Sequence, residues 1–265
     1  MNKKVINNLS VFTSEGKGLK PIIFIHGFPY DHNMWEAQIE ELCKDYFCVS
    51  YDIRGIGESP PGDGQFTIES FVDDLETIVD ELKLDKPVLC GLSMGGYISL
   101  RAIERIQSKF SALILFDTKS TADDNEGKLK RAASIKLINT GNFYDFIEAF
   151  VLNCFGEKFI KENNADYRKI VDRSKRSNPA GVKGCLLAMA GRTDTTEGLA
   201  KIKIPTLIIC GSEDNLTPPD VMMSMADKIP NAKFFLVEDA GHMTPIENPI
   251  AVNKAIKDFL EKNNL

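Results

Sequence analysis

Pro87-Val88-Leu89-Cys90-Gly91-Leu92-Ser93-Met94-Gly95-Gly96-Tyr97-Ile98 is the stretch on which the reading of this chain turns. A short apolar run gives way to a G-x-S-x-G pentapeptide, and a helix-like segment follows from Gly96 to Ile103. A strand, a sharp turn carrying a serine and then a helix is the geometry that lifts a nucleophilic hydroxyl clear of a sheet. Such a turn strains the backbone at the serine. Its packing leaves no room for side chains two residues to either side, which accounts for glycine at 91 and 95. The pentapeptide alone is a modest signal, and its surroundings give it weight. His26-Gly27-Phe28-Pro29 follows directly on the apolar run Pro21-Ile22-Ile23-Phe24-Ile25, where a fold of this kind keeps its oxyanion-binding loop. An acid and a histidine come later, in the order Ser, Asp, His.

The rest of the chain is organised as such a turn requires. Three apolar runs begin alike, at Lys20-Pro21-Ile22, Lys86-Pro87-Val88 and Ile204-Pro205-Thr206. Proline is tolerated at the first residue of a strand, and runs apolar on both faces fit a parallel sheet covered by helices on both sides. Strands are expected near 21–25, 46–51, 87–90, 112–116, 205–210 and 233–237. An N-terminal antiparallel hairpin is expected over 3–13 and part of 17–24, turning at Glu15-Gly16-Lys17-Gly18. Phe71, Leu75, Ile78 and Leu82 lie on one face of a helix, as do Trp35, Ile39 and Leu42. A last helix, 249–262, starts at a proline suited to its first turn. The alternation predicts an α/β fold with a mostly parallel, doubly wound central sheet. From Thr118 to Leu199 there is no convincing strand, only helix-like segments carrying Phe143, Tyr144, Phe146, Phe150, Phe155 and Phe159. This predicts a helical cap, 118–199, inserted after the sixth strand, over a core made of 1–117 and 200–265. Ligands bind at the carboxyl edge of open α/β sheets, which the cap would cover.

Composition limits the function classes. The 265 residues suit one domain with a full core and an insertion. Net charge is −6, from 32 basic and 38 acidic residues, so no electrostatic footprint for nucleic acid exists. The first residues carry two lysines but no apolar segment behind them, and no apolar stretch reaches the roughly 18 residues that span a bilayer. The expectations are therefore a cytoplasmic location and neither a membrane nor a nucleic-acid partner. The cysteines at 43, 48, 90, 154, 185 and 210 form no C-x-x-C, and Cys90 and Cys210, ending apolar runs, read as buried thiols. His26, His32 and His242 are not spaced as metal ligands on a helix, so no metal is expected.

With these features the chain resembles the α/β-hydrolase superfamily over essentially its whole length. The marks are His26-Gly27-Phe28-Pro29, Asp52-Ile53-Arg54-Gly55-Ile56-Gly57-Glu58-Ser59, Gly91-Leu92-Ser93-Met94-Gly95-Gly96, Gly211-Ser212-Glu213-Asp214-Asn215 and Gly241-His242-Met243. It is similar to small capped carboxylesterases and to 3-oxoadipate enol-lactonase-like hydrolases. C–C bond hydrolases, cofactor-free perhydrolases and haloalkane dehalogenases share much of the wording; serine at 93 excludes the last, which use aspartate.

The resemblance implies Ser93 as nucleophile, His242 as its base and Asp214 as the acid that orients the histidine. Asp117, at the end of the strand 112–116, is the rival acid, and Glu213 should point away. The backbone N–H groups of Phe28 and Met94 are the expected oxyanion hole, and Phe28, Met94 and Trp35 the expected apolar wall of the pocket. His26 is read as a brace for the oxyanion loop, His32 as a surface residue at a helix start, Arg54 as a salt-bridge residue and Glu247 as a helix N-terminal charge. The implied activity is hydrolysis of a small to medium apolar carboxylic ester through an acyl-enzyme, with no organic cofactor, by a monomer or homodimer. The alternatives are a lactonase or enol-lactonase with the same triad, a perhydrolase side activity, or a ligand receptor on a hydrolase fold with little turnover.

Overall fold

The computed structural model describes residues 1–16 and 18–265. The strands are β1 (Asn2–Ile6), β2 (Leu9–Thr13), β3 (Pro21–Ile25), β4 (Phe47–Tyr51), β5 (Val88–Leu92), β6 (Ala112–Phe116), β7 (Thr206–Gly211) and β8 (Lys233–Val237). They form one eight-stranded sheet in the order β1-β2-β4-β3-β5-β6-β7-β8. β1 pairs antiparallel with β2, and β2 antiparallel with β4; every later neighbour is parallel. The parallel strands β4, β5, β6 and β7 are buried along their whole length, in keeping with their largely apolar sequences.

The helices are α1 (Glu36–Leu42), α2 (Ile68–Glu81), α3 (Met94–Ile106), α4 (Asn125–Asn139), α5 (Phe143–Leu152), α6 (Glu157–Glu162), α7 (Asn164–Ser174), α8 (Pro179–Ala190), α9 (Pro219–Lys228), α10 (Thr244–Glu247) and α11 (Pro249–Lys262). α1 packs with α11, and α2 with α3, as the helical layers flanking the sheet. α2 shows how local sequence sets an element. Thr67 and Ser70 close a reciprocal capping box at its start, and Phe71, Leu75 and Ile78 are buried along one face. Its Asp74 holds Arg54 in a two-pronged ion pair at 2.5 and 2.7 Å, the structural role expected of Arg54. Five helices, α4 to α8, fill the interval between β6 and β7, so the helical insertion follows the sixth strand.

The hairpin differs from expectation. β1 and β2 turn at Asn7-Asn8, whose φ values of 48° and 65° make the tight left-handed turn that asparagine tolerates. The segment expected to turn, Glu15 to Gly18, instead leads from β2 to β3, which are not neighbours; Lys17 lies outside the described residues. The Gly-rich segment looked like the stronger turn signal, but a pair of asparagines serves a two-residue hairpin equally well.

The helix after Ser93 is pressed against the end of β3. A Cβ on Gly95 would stand 2.2 Å from the Ile25 carbonyl oxygen. Gly95→Ala is therefore expected to destabilise the fold by about 3 kcal/mol or more, since the obstacle is backbone and not a side chain that can swing aside. Urea denaturation of the purified variant measures this.

Candidate active site

Ser93 sits between β5 and α3 at φ 53° and ψ −111°, a strained conformation for a residue with a side chain. Backbone bonds pin it there. Its N–H donates to the Phe116 carbonyl at 3.0 Å, and the Thr118 hydroxyl donates to the Ser93 carbonyl at 2.8 Å. Leu92 and Met94 are buried on either side, and Ser93 is half-buried. Gly27 brings the early loop close, because a Cβ there would stand 3.5 Å from Ser93 Cβ. Met94 opens α3, so its N–H has no intrahelical acceptor. Neither it nor the Phe28 N–H makes a backbone hydrogen bond among the described residues. The N–H groups of the two expected oxyanion donors are thus uncommitted.

Asp214, after β7, and His242, after β8, are joined directly, with Nδ1 2.8 Å from Oδ2. The carboxylate is also an acceptor for the Leu216 and Thr217 N–H groups at 2.8 and 3.0 Å and for the Thr217 hydroxyl at 2.6 Å. Burial alone would push this carboxyl up; the charge and hydrogen bond of His242 and the Thr217 donors outweigh it and hold it at about 2. Asp214 is therefore both the start of a tight turn and the partner of a histidine. Thr217, which sequence reading missed, grips Asp214 and lies 3.3 Å from His242 Nδ1. The signal available was its place three residues after the acid. Ser93 Oγ and His242 are not hydrogen-bonded among the described residues, as is common before a substrate aligns such groups.

Asp117 is buried beside this pair but faces other partners, accepting from Gly211 N–H at 2.9 Å and pairing with the Thr244 hydroxyl. Burial, and next the charge of Asp214, push it well above the ordinary carboxylate range. The two acids thus divide the labour: Asp214 is ionised and Asp117 keeps its proton to higher pH. Asp117, Cys210 and Asp214 bring three potential ligand atoms within 4.8 Å. Those atoms are already committed to hydrogen bonds, Cys210 Sγ to the Gly211 and Thr217 carbonyls. The cluster fits a hydrogen-bonded brace better than a cation.

Glu247 ties the histidine loop to the insertion. It ends α10, and its carboxylate accepts the N–H groups of Gly156 at 2.8 Å, Gly241 at 3.0 Å and Met243 at 3.0 Å. The His242 N–H donates to the Cys154 carbonyl at 2.9 Å. Glu247 is a helix N-terminal charge, as expected, but of α10, whose N-cap Met243 donates to it, and not of α11, which Asn248 caps; it turns inward where the Gly156 and Gly241 N–H groups also converge. From the insertion, Phe150 meets the Phe28 ring edge-on with centroids 5.0 Å apart, and Phe146 lies at 6.3 Å.

His26 braces the early loop, its Nε2 accepting from Ile53 N–H at 2.9 Å. Two placements depart from expectation. His32 does open a short 3-10 turn, but it is not on the surface; it stacks on Phe12 at 3.5 Å and bonds Asp52 at 2.7 Å. A buried carboxylate drew it inward, which sequence alone does not reveal. Trp35 is fully buried between Phe24 and Phe116, both 5.2 Å away, so it belongs to the core and not to a pocket wall. Its helical spacing with Ile39 and Leu42 was the warning. Glu213 is exposed, as expected.

A family of proteins with the α/β-hydrolase fold matches residues 20–249, and the chain belongs to it. 3-Oxoadipate enol-lactonase 1 of Acinetobacter baylyi is 29% identical over 241 residues, covering 91% of this chain and 88% of that one. A thermophilic esterase from Thermogutta terrifontis, solved with malate bound, superposes with a TM-score of 0.94 at 33% identity over 100% of both chains. The enol-lactonase of Burkholderia xenovorans superposes with a TM-score of 0.90 at 25% identity, covering 98% of this chain and 100% of that one. Among the described residues no helix is long and apolar enough to cross a membrane.

Two substitutions probe this site. A carboxyl whose folded value is raised contributes stability below its unfolded value and loses it as pH rises toward the folded value. For Asp117 the loss begins near pH 4, at up to about 1.4 kcal/mol per pH unit. Asp117→Asn should therefore gain on the wild type as pH rises from 4 to 8, as thermal melts across that range will show. Glu247→Gln sets an NH2 group against backbone donors. It should cost about 1–3 kcal/mol and lower kcat more than it raises KM, read from melts and steady-state kinetics together.

Proposed function

We propose that this α/β hydrolase cleaves a small to medium apolar carboxylic ester in two steps. The observation that carries the reading is the Asp214–His242 hydrogen bond at the same sheet edge as a serine held at positive φ. Ser93 Oγ attacks the ester carbonyl while His242 takes its proton, and Asp214 holds the imidazole in the tautomer that can accept it. The oxyanion forms against the N–H groups of Phe28 and Met94. As the tetrahedral species collapses, the C–O bond to the alcohol breaks and His242 returns the proton to the leaving oxygen. Water, deprotonated by the same imidazole, then attacks the acyl-enzyme and releases the acid and Ser93. Beyond the chain's own residues, the steps call only for water.

The helices between 118 and 199 serve in this reading as a cap over a core of 1–117 and 200–265. Phe146 and Phe150 extend the apolar wall that Phe28 begins, which suits an apolar acyl group. The names of two relatives favour a second reading with the same triad, in which the scissile ester is a lactone and the alcohol leaves while still tethered to the acyl group.

Turnover of p-nitrophenyl esters from acetate to decanoate is expected to peak at short to medium chains. Ser93→Ala should lower kcat by roughly 10⁴ or more, and Met94→Ala far less, because only its N–H is used. Turnover of lactones in preference to every acyclic ester would select the second reading. Tight ligand protection with negligible turnover would favour a receptor.

A further inference from the structure

The helical insertion leaves the core just after β6 and returns ahead of β7, and the two crossings are tied together. Thr195, on the returning segment, donates its N–H at 3.0 Å and its hydroxyl at 3.1 Å to the carbonyl of Ser120, on the leaving one. A small cleft lies at this neck. Lys119 of the leaving segment lines it, with Arg192 and Thr193 of the returning one and Tyr97 and Arg101 of α3. Its volume is about 10 Å³, room for a single water-sized group. Ser93, Phe28, Met94 and His242 do not line it, so it is separate from the site described above.

Positive charge gathers here beyond what its partners answer, in a chain whose net charge is −6. Lys119, Arg131 and Arg192 share the buried carboxylate of Asp123, at 3.9, 2.8 and 2.9 Å, and among the described residues no other carboxylate forms an ion pair with them. Asp124 and Asp194 lie farther off and are spent on backbone, accepting from the Gly127 N–H and from the Ala122 and Thr196 N–H groups. Donors are left over as well. Arg192 uses Nη1 on the Met189 carbonyl and Asp123, and Nη2 on the Thr121 carbonyl, while its Nε is buried without an acceptor. The Lys119 ammonium, 3.9 Å from Asp123, makes no hydrogen bond among the described residues. Burial, and next the charge of Arg192, push Lys119 below the ordinary lysine value, as a poorly solvated and positive surrounding should.

We propose that the cleft is a binding site for a monatomic anion of the class of chloride, held between the Lys119 ammonium and the Arg192 Nε–H. A negative charge there offsets the repulsion among three cations that Asp123 alone does not balance, and it answers two donors at once. Water would answer the donors and leave the charge as it is. Phosphate and organic carboxylates are too large for the space, whereas chloride is only a little wider than water. The ion ties Lys119 to Arg192 across the neck, and so fixes the insertion where it meets the core. This site stands on its own residues and does not depend on the ester-cleaving reading.

Crystals of the full chain soaked in sodium bromide, measured at the bromine absorption edge, are expected to show one bromide touching Lys119 Nζ and Arg192 Nε, and none there in Lys119→Gln. In solution, total salt is held at about 0.2 M so that screening is constant. The chain should then melt about 2–4 °C higher in sodium chloride than in sodium gluconate, whose anion is too large for the cleft. Lys119→Gln gives up no hydrogen bond, so it should fold and should lose that difference. Lys136→Gln, at an exposed position of α4 that does not line the cleft, should keep it. Water alone at the site, bromide that persists in Lys119→Gln, equal melting in the two salts, or the same difference in Lys119→Gln would overturn the proposal. Bromide in the crystal with no chloride effect in solution would mark an adventitious ion only, and would overturn it too.

Discussion

The backbone of Ser93 is the constraint on which the rest of the structure depends. A residue with a side chain held at φ 53° and ψ −111° does not stay there by preference. β6 holds it from one side through the Phe116 carbonyl, Thr118 holds its own carbonyl, and α3 leaves from it at close quarters to β3. The parallel pairing of β5 with β3 and β6 is therefore what aims the hydroxyl, and the glycines nearby are the condition for that pairing to close. Strain of this kind persists only where the surroundings over-determine it, and a central position in an eight-stranded sheet supplies that.

Electrostatics at the same edge follow from unequal solvation. Asp117 and Asp214 are both buried, but only Asp214 has a histidine, a hydroxyl and two N–H groups around it. Two close carboxylates do not both ionise readily, so the better-solvated one takes the charge and the other becomes a neutral hydrogen-bonding brace. The choice between rival acids is thus made by Thr217 and His242 on one side and by Gly211 and Thr244 on the other.

Sequence carried the sheet and the positions of Ser93, Asp214 and His242 at its strand ends well because both rest on short-range rules. Proline-started apolar runs, a glycine-flanked serine and the i, i+4 face of α2 announce themselves within a few residues. What escaped depends on distant partners. Nothing near Glu247 says that Gly156, some ninety residues earlier, will offer it an N–H. Nothing near His32 announces the buried carboxylate of Asp52, and the pocket role given to Trp35 failed because an aromatic in a helix stripe has the same local pattern whether it faces core or cleft. The hairpin failed for a local reason: the Asn7-Asn8 signal was present but outweighed by a glycine-rich neighbour.

The stitching of the insertion to the histidine loop bears on how such a protein changes over generations. Gly156 and Gly241 share one carboxylate oxygen of Glu247, and the His242 backbone hangs from Cys154. An insertion that looks like an exchangeable module therefore carries part of the support of the His242 loop. Transplanting helices from a relative to alter selectivity would have to bring the 154–156 corner and the 241–247 loop as a matched pair. Inherited or engineered, new selectivity in this scaffold should arise more readily by changing side chains on α5 than by replacing the insertion whole.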